Sequence, residues 1–258
     1  MTSSRLIAAA LAAAVSAAAM ATGSHLVGPG AYDATGLAMA GALASLAFVG
    51  WAIAGALLIE APPHRTLALG MPRAGSPRLG RVVAGQLGYG ILVSVALSSA
   101  GVVEGSSIAE MDQAMGAAVG PGIALLALGV ALAPGISEEL LFRGLLLGVL
   151  LPRFGAALAI VLSTLPFALV HIDPAHIVGA GLLGLYLAAA RVSTGSTLVS
   201  IACHVANNAM AIVLSTQQWP LWLDRLALLS AVVVAILGVW EMLRRWPTAS
   251  VAADSVAG

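Results

Sequence analysis

The chain has 258 residues, 60% of them hydrophobic and 9% charged, with a mean hydropathy of +1.02. Soluble domains carry about 25% charged residues, so a water-soluble fold is excluded and an all-α, polytopic membrane helix bundle is expected. The net charge is zero, and there is neither a basic run nor a series of stacking aromatics, so no nucleic-acid partner is expected and the lipid bilayer is the expected surrounding.

A membrane span needs about 20 predominantly apolar residues. In chain order, segments 4–22, 36–59, 82–103, 121–151, 155–171, 175–190, 197–215 and 220–243 are the candidates, about eight in all. The first also reads as a secretory signal peptide, with Arg5 ahead of an Ala-rich core that ends in Ala19-Met20-Ala21. A retained span gives the better topology, because Asp33 then lies outside and the Arg-rich loop inside. That loop, 60–81, carries Arg65, Arg73, Arg78 and Arg81 and is assigned to the cytoplasm. With eight spans, Arg5, Arg153, Arg191, Arg244 and Arg245 fall on the same side, and Glu104, Glu110 and Asp112 fall opposite. Only Arg225, beside Asp224, is out of place. Both termini are therefore expected in the cytoplasm, and a bacterial chain would lie in the cytoplasmic membrane.

Segment 121–151 is too long for one simple crossing. Pro134-Gly135 interrupts it, leaving two pieces, a tilted helix, or a re-entrant segment followed by a span. The tail 246–258, with Pro, Ser, Asp and small residues, is expected to be disordered. The chain divides into N-terminal spans and the cytoplasmic loop (1–120), a polar-site core (121–215), a last span (216–245) and the tail (246–258).

Three polar clusters stand inside these apolar segments: Glu138, Glu139 and Arg143; His171; and His204 with Asn208. An ionisable group at the bilayer centre costs roughly 2.5–3.5 kcal/mol even on lenient insertion scales. Residues four apart share a helix face, so Glu139 is the natural ion-pair partner of Arg143. Glu138 lies about 100° around the helix, shares its face with Phe142, and has no local counter-charge. That leaves it free to act as a general base on water. The alternative is that both acids clasp Arg143 to fix helix packing. His171 ends its span before Pro174, where a structural role is the other reading, and His176 is expected at the surface. His204 and Asn208 share a face, suited either to stabilising an oxyanion or to joining helices. Cys203 is the lone cysteine; it reads as a small apolar filler, with metal ligand or nucleophile as the other reading. One shared polar cavity accounts for the concentration of these groups better than separate structural roles.

Glu-Glu-x-x-x-Arg, then Phe-x-x-x-His, then His-x-x-x-Asn resembles the CPBP family of intramembrane proteases, which includes type II CAAX prenyl endopeptidases and the bacterial Abi and lysostaphin-resistance-A-like proteins. The resemblance covers about residues 121–215 and extends to Gly179–Tyr186 and Arg191–Ser196. It implies an intramembrane endopeptidase in which Glu138 activates water, Glu139 and Arg143 organise the site, His171 helps bind the water, and His204 and Asn208 stabilise the oxyanion. The implied partner is a membrane-associated protein or peptide substrate. The family has also been called metalloprotease. His171, His204 and Glu138 would make a His₂Glu zinc set with an open position; there is no His-Glu-x-x-His, and a glutamate-activated water needs no metal, so zinc stays open. Gly-x-Gly-Asp and Gly-x-Ser-Gly motifs are absent, which argues against the aspartyl and rhomboid types. A non-enzymatic scaffold or immunity protein, or a proton-coupled transporter, is the alternative. The lack of an internal repeat counts against the transporter.

Overall fold

The computed structural model describes residues 33–59, 62–72, 76–217, 221–244 and 246, with the isolated residues 7 and 11. Of the expected first span only Ile7 and Leu11 are described, and both are helical. The remainder of that span, the signal-peptide reading, Arg73 and the tail beyond Trp246 lie outside the described residues. Every regular element among the described residues is a helix. They are α1 (Ala34–Leu57), α2 (Pro63–Thr66), α3 (Ser76–Ser99), α4 (Ser107–Gly116), α5 (Pro121–Leu126), α6 (Ala133–Glu139), α7 (Leu147–Leu169), α8 (Pro174–Thr194), α9 (Thr197–Thr216) and α10 (Leu221–Leu243). Two π-helical segments, Ala127–Leu132 and Leu140–Leu146, join α5 to α6 and α6 to α7.

Among the described residues, six helical stretches are long and apolar enough to cross a membrane. The chain is a multi-pass membrane protein. Spans expected at 36–59, 82–103, 175–190, 197–215 and 220–243 each have a helix of their own. The two expected at 121–151 and 155–171 fall in one run, Pro121–Leu169, of 49 residues. At 1.5 Å per residue such a run would extend about 73 Å, more than twice the roughly 30 Å hydrocarbon core. It turns at Gly155, whose φ of 72° and ψ of 173° are open essentially to glycine alone.

Pro134-Gly135 does not interrupt the helical course. Pro134 lacks an N–H, and its ring crowds the carbonyl four residues back. The wider π segment immediately before it relieves that crowding, so the chain passes through the proline as helix.

Small residues let the helices approach. A side-chain carbon on Gly129 would strike the backbone of Ala38, so α1 seats directly on the first π segment. Gly85 and Gly238 bring α3 and α10 together in the same way. At one end of the bundle, the turn between α8 and α9 is tied to the loop after α2. Thr197 N–H donates to Ala68 O at 3.0 Å, Thr197 Oγ1 to Leu67 O at 2.7 Å, and Ser196 Oγ to Gly70 O at 2.7 Å. Arg65 and Arg191 thus sit at a common end. At the other end Asp173 caps α8, accepting from His176 N–H at 3.0 Å, and accepts from Ser107 N–H at the start of α4 at 3.4 Å.

Candidate active site

Glu138 and Glu139 close α6, Arg143 lies in the second π segment, Phe167 and His171 lie at and just beyond the end of α7, and His204 and Asn208 ride on α9. Arg143 and Glu139 are completely buried, at 0% exposure. Neither charge has water to share it, so each depends on protein partners. Arg143 Nη1 donates to Glu139 Oε1 at 2.8 Å, the i, i+4 pair expected from the spacing. Its Nη2 donates to Gly184 O at 3.1 Å. The guanidinium carbon stands 3.9 Å from the centroid of the Phe167 ring, a desolvated cation–π contact.

Gly184 is a site residue that motif reasoning passed over. A Cβ there would lie 2.8 Å from Arg143 Nη2 and 2.8 Å from the Phe167 ring. Its place in the Gly-rich stretch of α8 was the available signal. Phe167 supplies more than the spacing of its motif. Its ring contacts Phe142, His171 and His204 edge-on, with centroid separations of 5.5, 5.4 and 5.9 Å. Both imidazoles therefore pack on the same aromatic ring, although they come from the far end of one helix and the near half of another.

His204 joins the two glutamates. Its Nδ1 lies 2.9 Å from Glu139 Oε1. An ionised carboxylate only accepts, so Nδ1 carries the proton and the ring is fixed with Nε2 toward Glu138. The Nε2 to Glu138 Oε2 distance is 3.9 Å. That is too long for a direct hydrogen bond and short enough for one water to bond both groups. Glu138 and His204 are the least enclosed of the four charged groups, at 9% and 8% exposure. The division expected from the helix faces holds in the contacts: Glu139 takes Arg143, and Glu138 does not.

His171 Nδ1 is 3.0 Å from Phe167 O. A carbonyl only accepts, so here too Nδ1 carries the proton, and Nε2 of the neutral ring is left as an acceptor. The backbone N–H of His171 bonds Ala168 O instead, at 3.1 Å, which leaves the Phe167 carbonyl to the side chain. His176 is half-buried. Its ring centroid is 4.4 Å from that of His171, and its Nδ1 is 3.4 Å from Ser107 Oγ. The bend at Asp173-Pro174 folds α8 back so that the two rings meet.

Asn208 Nδ2 donates to Val130 O at 3.1 Å. Asn207 points elsewhere, as the helix face predicts: its Oδ1 abuts Gly90 of α3. Among the described residues, no three His, Cys, Asp or Glu side chains are grouped so that they could hold a metal ion. No step below passes through a metal. Cys203 is buried beside Val82, its Sγ 4.0 Å from the Val82 carbonyl, among apolar neighbours.

Residues 120–210 match the family model described as Type II CAAX prenyl endopeptidase Rce1-like. This is the family that the three motifs resemble, and at family level it is one of CAAX-type intramembrane proteases. No curated protein matches the chain, and no solved structure matches it.

Proposed function

We propose that the protein is an intramembrane endopeptidase that hydrolyses a peptide bond of a membrane-associated protein or peptide through a glutamate-activated water. The observation that carries this reading is His204 held between two buried carboxylates, only one of which is neutralised by Arg143. Glu138 is the carboxylate left to act on water. In this mechanism a water between Glu138 Oε2 and His204 Nε2 gives its proton to Glu138 as its oxygen attacks the scissile carbonyl carbon. The carbonyl electron pair moves to oxygen. Asn208, and His204 in its protonated form, donate to that oxyanion. The carbon–nitrogen bond then breaks, and the proton on Glu138 passes to the leaving amine. His171, with Nε2 free, assists in holding the water. Arg143 and Glu139 act on chemistry only by holding His204.

The test is cleavage of a peptide library by the purified protein in detergent, wild type beside Glu138→Gln, each with and without a zinc chelator. General-base catalysis contributes roughly 10²- to 10⁴-fold, so Glu138→Gln is expected to lose cleavage while unfolding at the same temperature as the wild type. Equal cleavage by the two proteins would overturn the reading and leave a scaffold role. The chelator arm separates zinc-dependent from metal-free hydrolysis, and the mechanism above expects cleavage to persist.

A further inference from the structure

His171 lies beyond the last residue of α7, on the bend that leads into α8. The bend is strained: Ile172 has a φ of 63°, a left-handed conformation that a β-branched side chain adopts only when its surroundings impose it. Here the surroundings come from α8 and α4. Asp173 accepts from His176 N–H at 3.0 Å and from Ser107 N–H at 3.4 Å, so the bend is tied to the first turns of both helices. The His171 imidazole is held in turn. Its Nδ1 donates to Phe167 O at 3.0 Å, and its ring packs edge-on with the Phe167 ring at a centroid separation of 5.4 Å. Both of these contacts belong to α7 itself, one turn back. The His176 ring, from α8, ties the imidazole to another helix: the two centroids are 4.4 Å apart and the planes incline by 55°. His176 is braced by Ser107 Oγ, 3.4 Å from its Nδ1.

We propose that His176 is a positioning residue for hydrolysis: its ring, carried on α8 and braced by Ser107, holds the His171 imidazole in place so that Nε2 stays available to the water. This rests on the role given to His171 under Proposed function. His176 lies outside the three motifs and takes no proton in the reaction; it acts by packing. An aromatic ring without nitrogen can therefore replace it, and a small side chain cannot. Its removal slows the chemical step and leaves substrate binding unchanged.

The test measures kcat and KM for His176→Ala, His176→Phe, His171→Ala and the double variant His171→Ala with His176→Ala, using the library peptide that the wild type cleaves best. If His176→Ala does not fold, His176→Gln, which keeps a polar group and has no ring, takes its place. His176→Ala is expected to lower kcat roughly tenfold with KM unchanged, as for a group that is loosened and not removed. His176→Phe should return kcat to within about threefold of wild type, because the contact between rings survives. In the His171→Ala background, His176→Ala should change kcat less than about twofold, because the ring it holds is already gone. A wild-type kcat for His176→Ala would overturn the proposal, as would an equal fall from it in both backgrounds or a change confined to KM. A His176→Phe protein as slow as His176→Ala would overturn it too, by assigning the effect to the imidazole nitrogens. If His171→Ala keeps full kcat while Glu138→Gln is inactive, His171 has no part in hydrolysis; the proposal then fails while the glutamate mechanism stands.

Discussion

Replacing Arg143 with Met isolates the cost of stranding a buried carboxylate. Methionine fills much of the arginine volume, so little of the effect comes from a cavity. What is lost is the 2.8 Å bond to Glu139, the 3.1 Å bond to Gly184 O and the 3.9 Å contact with Phe167. Glu139 Oε2 and Arg143 Nε have no hydrogen-bond partner, so with Arg143 gone Glu139 keeps only the His204 Nδ1 contact at 2.9 Å. Removing one member of a fully buried pair typically costs about 3–5 kcal/mol, most of it the uncompensated charge left behind. The assay is equilibrium unfolding in detergent of wild type, Arg143→Met, Glu139→Gln and the double variant. In the double variant the carboxamide that replaces the Glu139 carboxylate keeps an acceptor for His204 Nδ1 and carries no charge. It should recover more than half of the single-variant loss, since neutral isosteres of a buried pair are often nearly neutral for stability. Wild-type stability for Arg143→Met would refute the reasoning. So would a double variant no more stable than Arg143→Met, because the penalty would then not come from the stranded carboxylate.

Three further outcomes follow from the packing. Gln86 is fully buried with neither carboxamide atom bonded, so Gln86→Leu should raise stability by about 1–3 kcal/mol in the same unfolding assay; a loss would mean the carboxamide is bonded. Gly129→Val must push α1 off the first π segment, and overpacking of this kind costs about 1–3 kcal/mol, measurable as a lower midpoint. Asp173→Ala should remove about 1 kcal/mol or more of capping and speed hydrogen exchange at the starts of both α8 and α4. Unchanged exchange at α4 would show that the 3.4 Å contact to Ser107 N–H contributes nothing there.

The features legible in the sequence are those set by spacing along one helix. Apolar length marked the spans, and four-residue spacing paired Glu139 with Arg143 and separated Glu138 from them. Features that depend on how helices cross were not legible. Nothing in the order of residues shows that Phe167 touches both His171 and His204, or that the Asn208 amide meets the Val130 carbonyl. The contact of His176 with His171 was not legible either, because it depends on the Asp173-Pro174 bend. Pro134 was read as an interruption on the assumption of regular α-helical winding. A π segment carries a proline without breaking the run, and hydropathy has no signal for that winding. The division of segment 121–171 was legible: the spans expected at 121–151 and 155–171 meet where the chain turns at Gly155.

In lipid the charged groups of this site can be satisfied only by protein partners, and that imposes an order. Arg143 and Glu139 are sealed at 0% exposure, and His204 and Glu138 lie outward of them at 8% and 9%. Each inner group fixes the next: Arg143 holds Glu139, Glu139 orients His204 through Nδ1, and His204 turns Nε2 toward Glu138. Substitutions along this chain should therefore shift from stability to rate. At Arg143 the stranded charge dominates and folding suffers first. At Glu139 both fail together, because one oxygen serves the ion pair and the imidazole at once. At Glu138, which supports no other charged group, stability should be nearly untouched and hydrolysis lost. A Glu138→Gln protein as unstable as Arg143→Met would break that order, because it would make Glu138 a structural member of the buried pair.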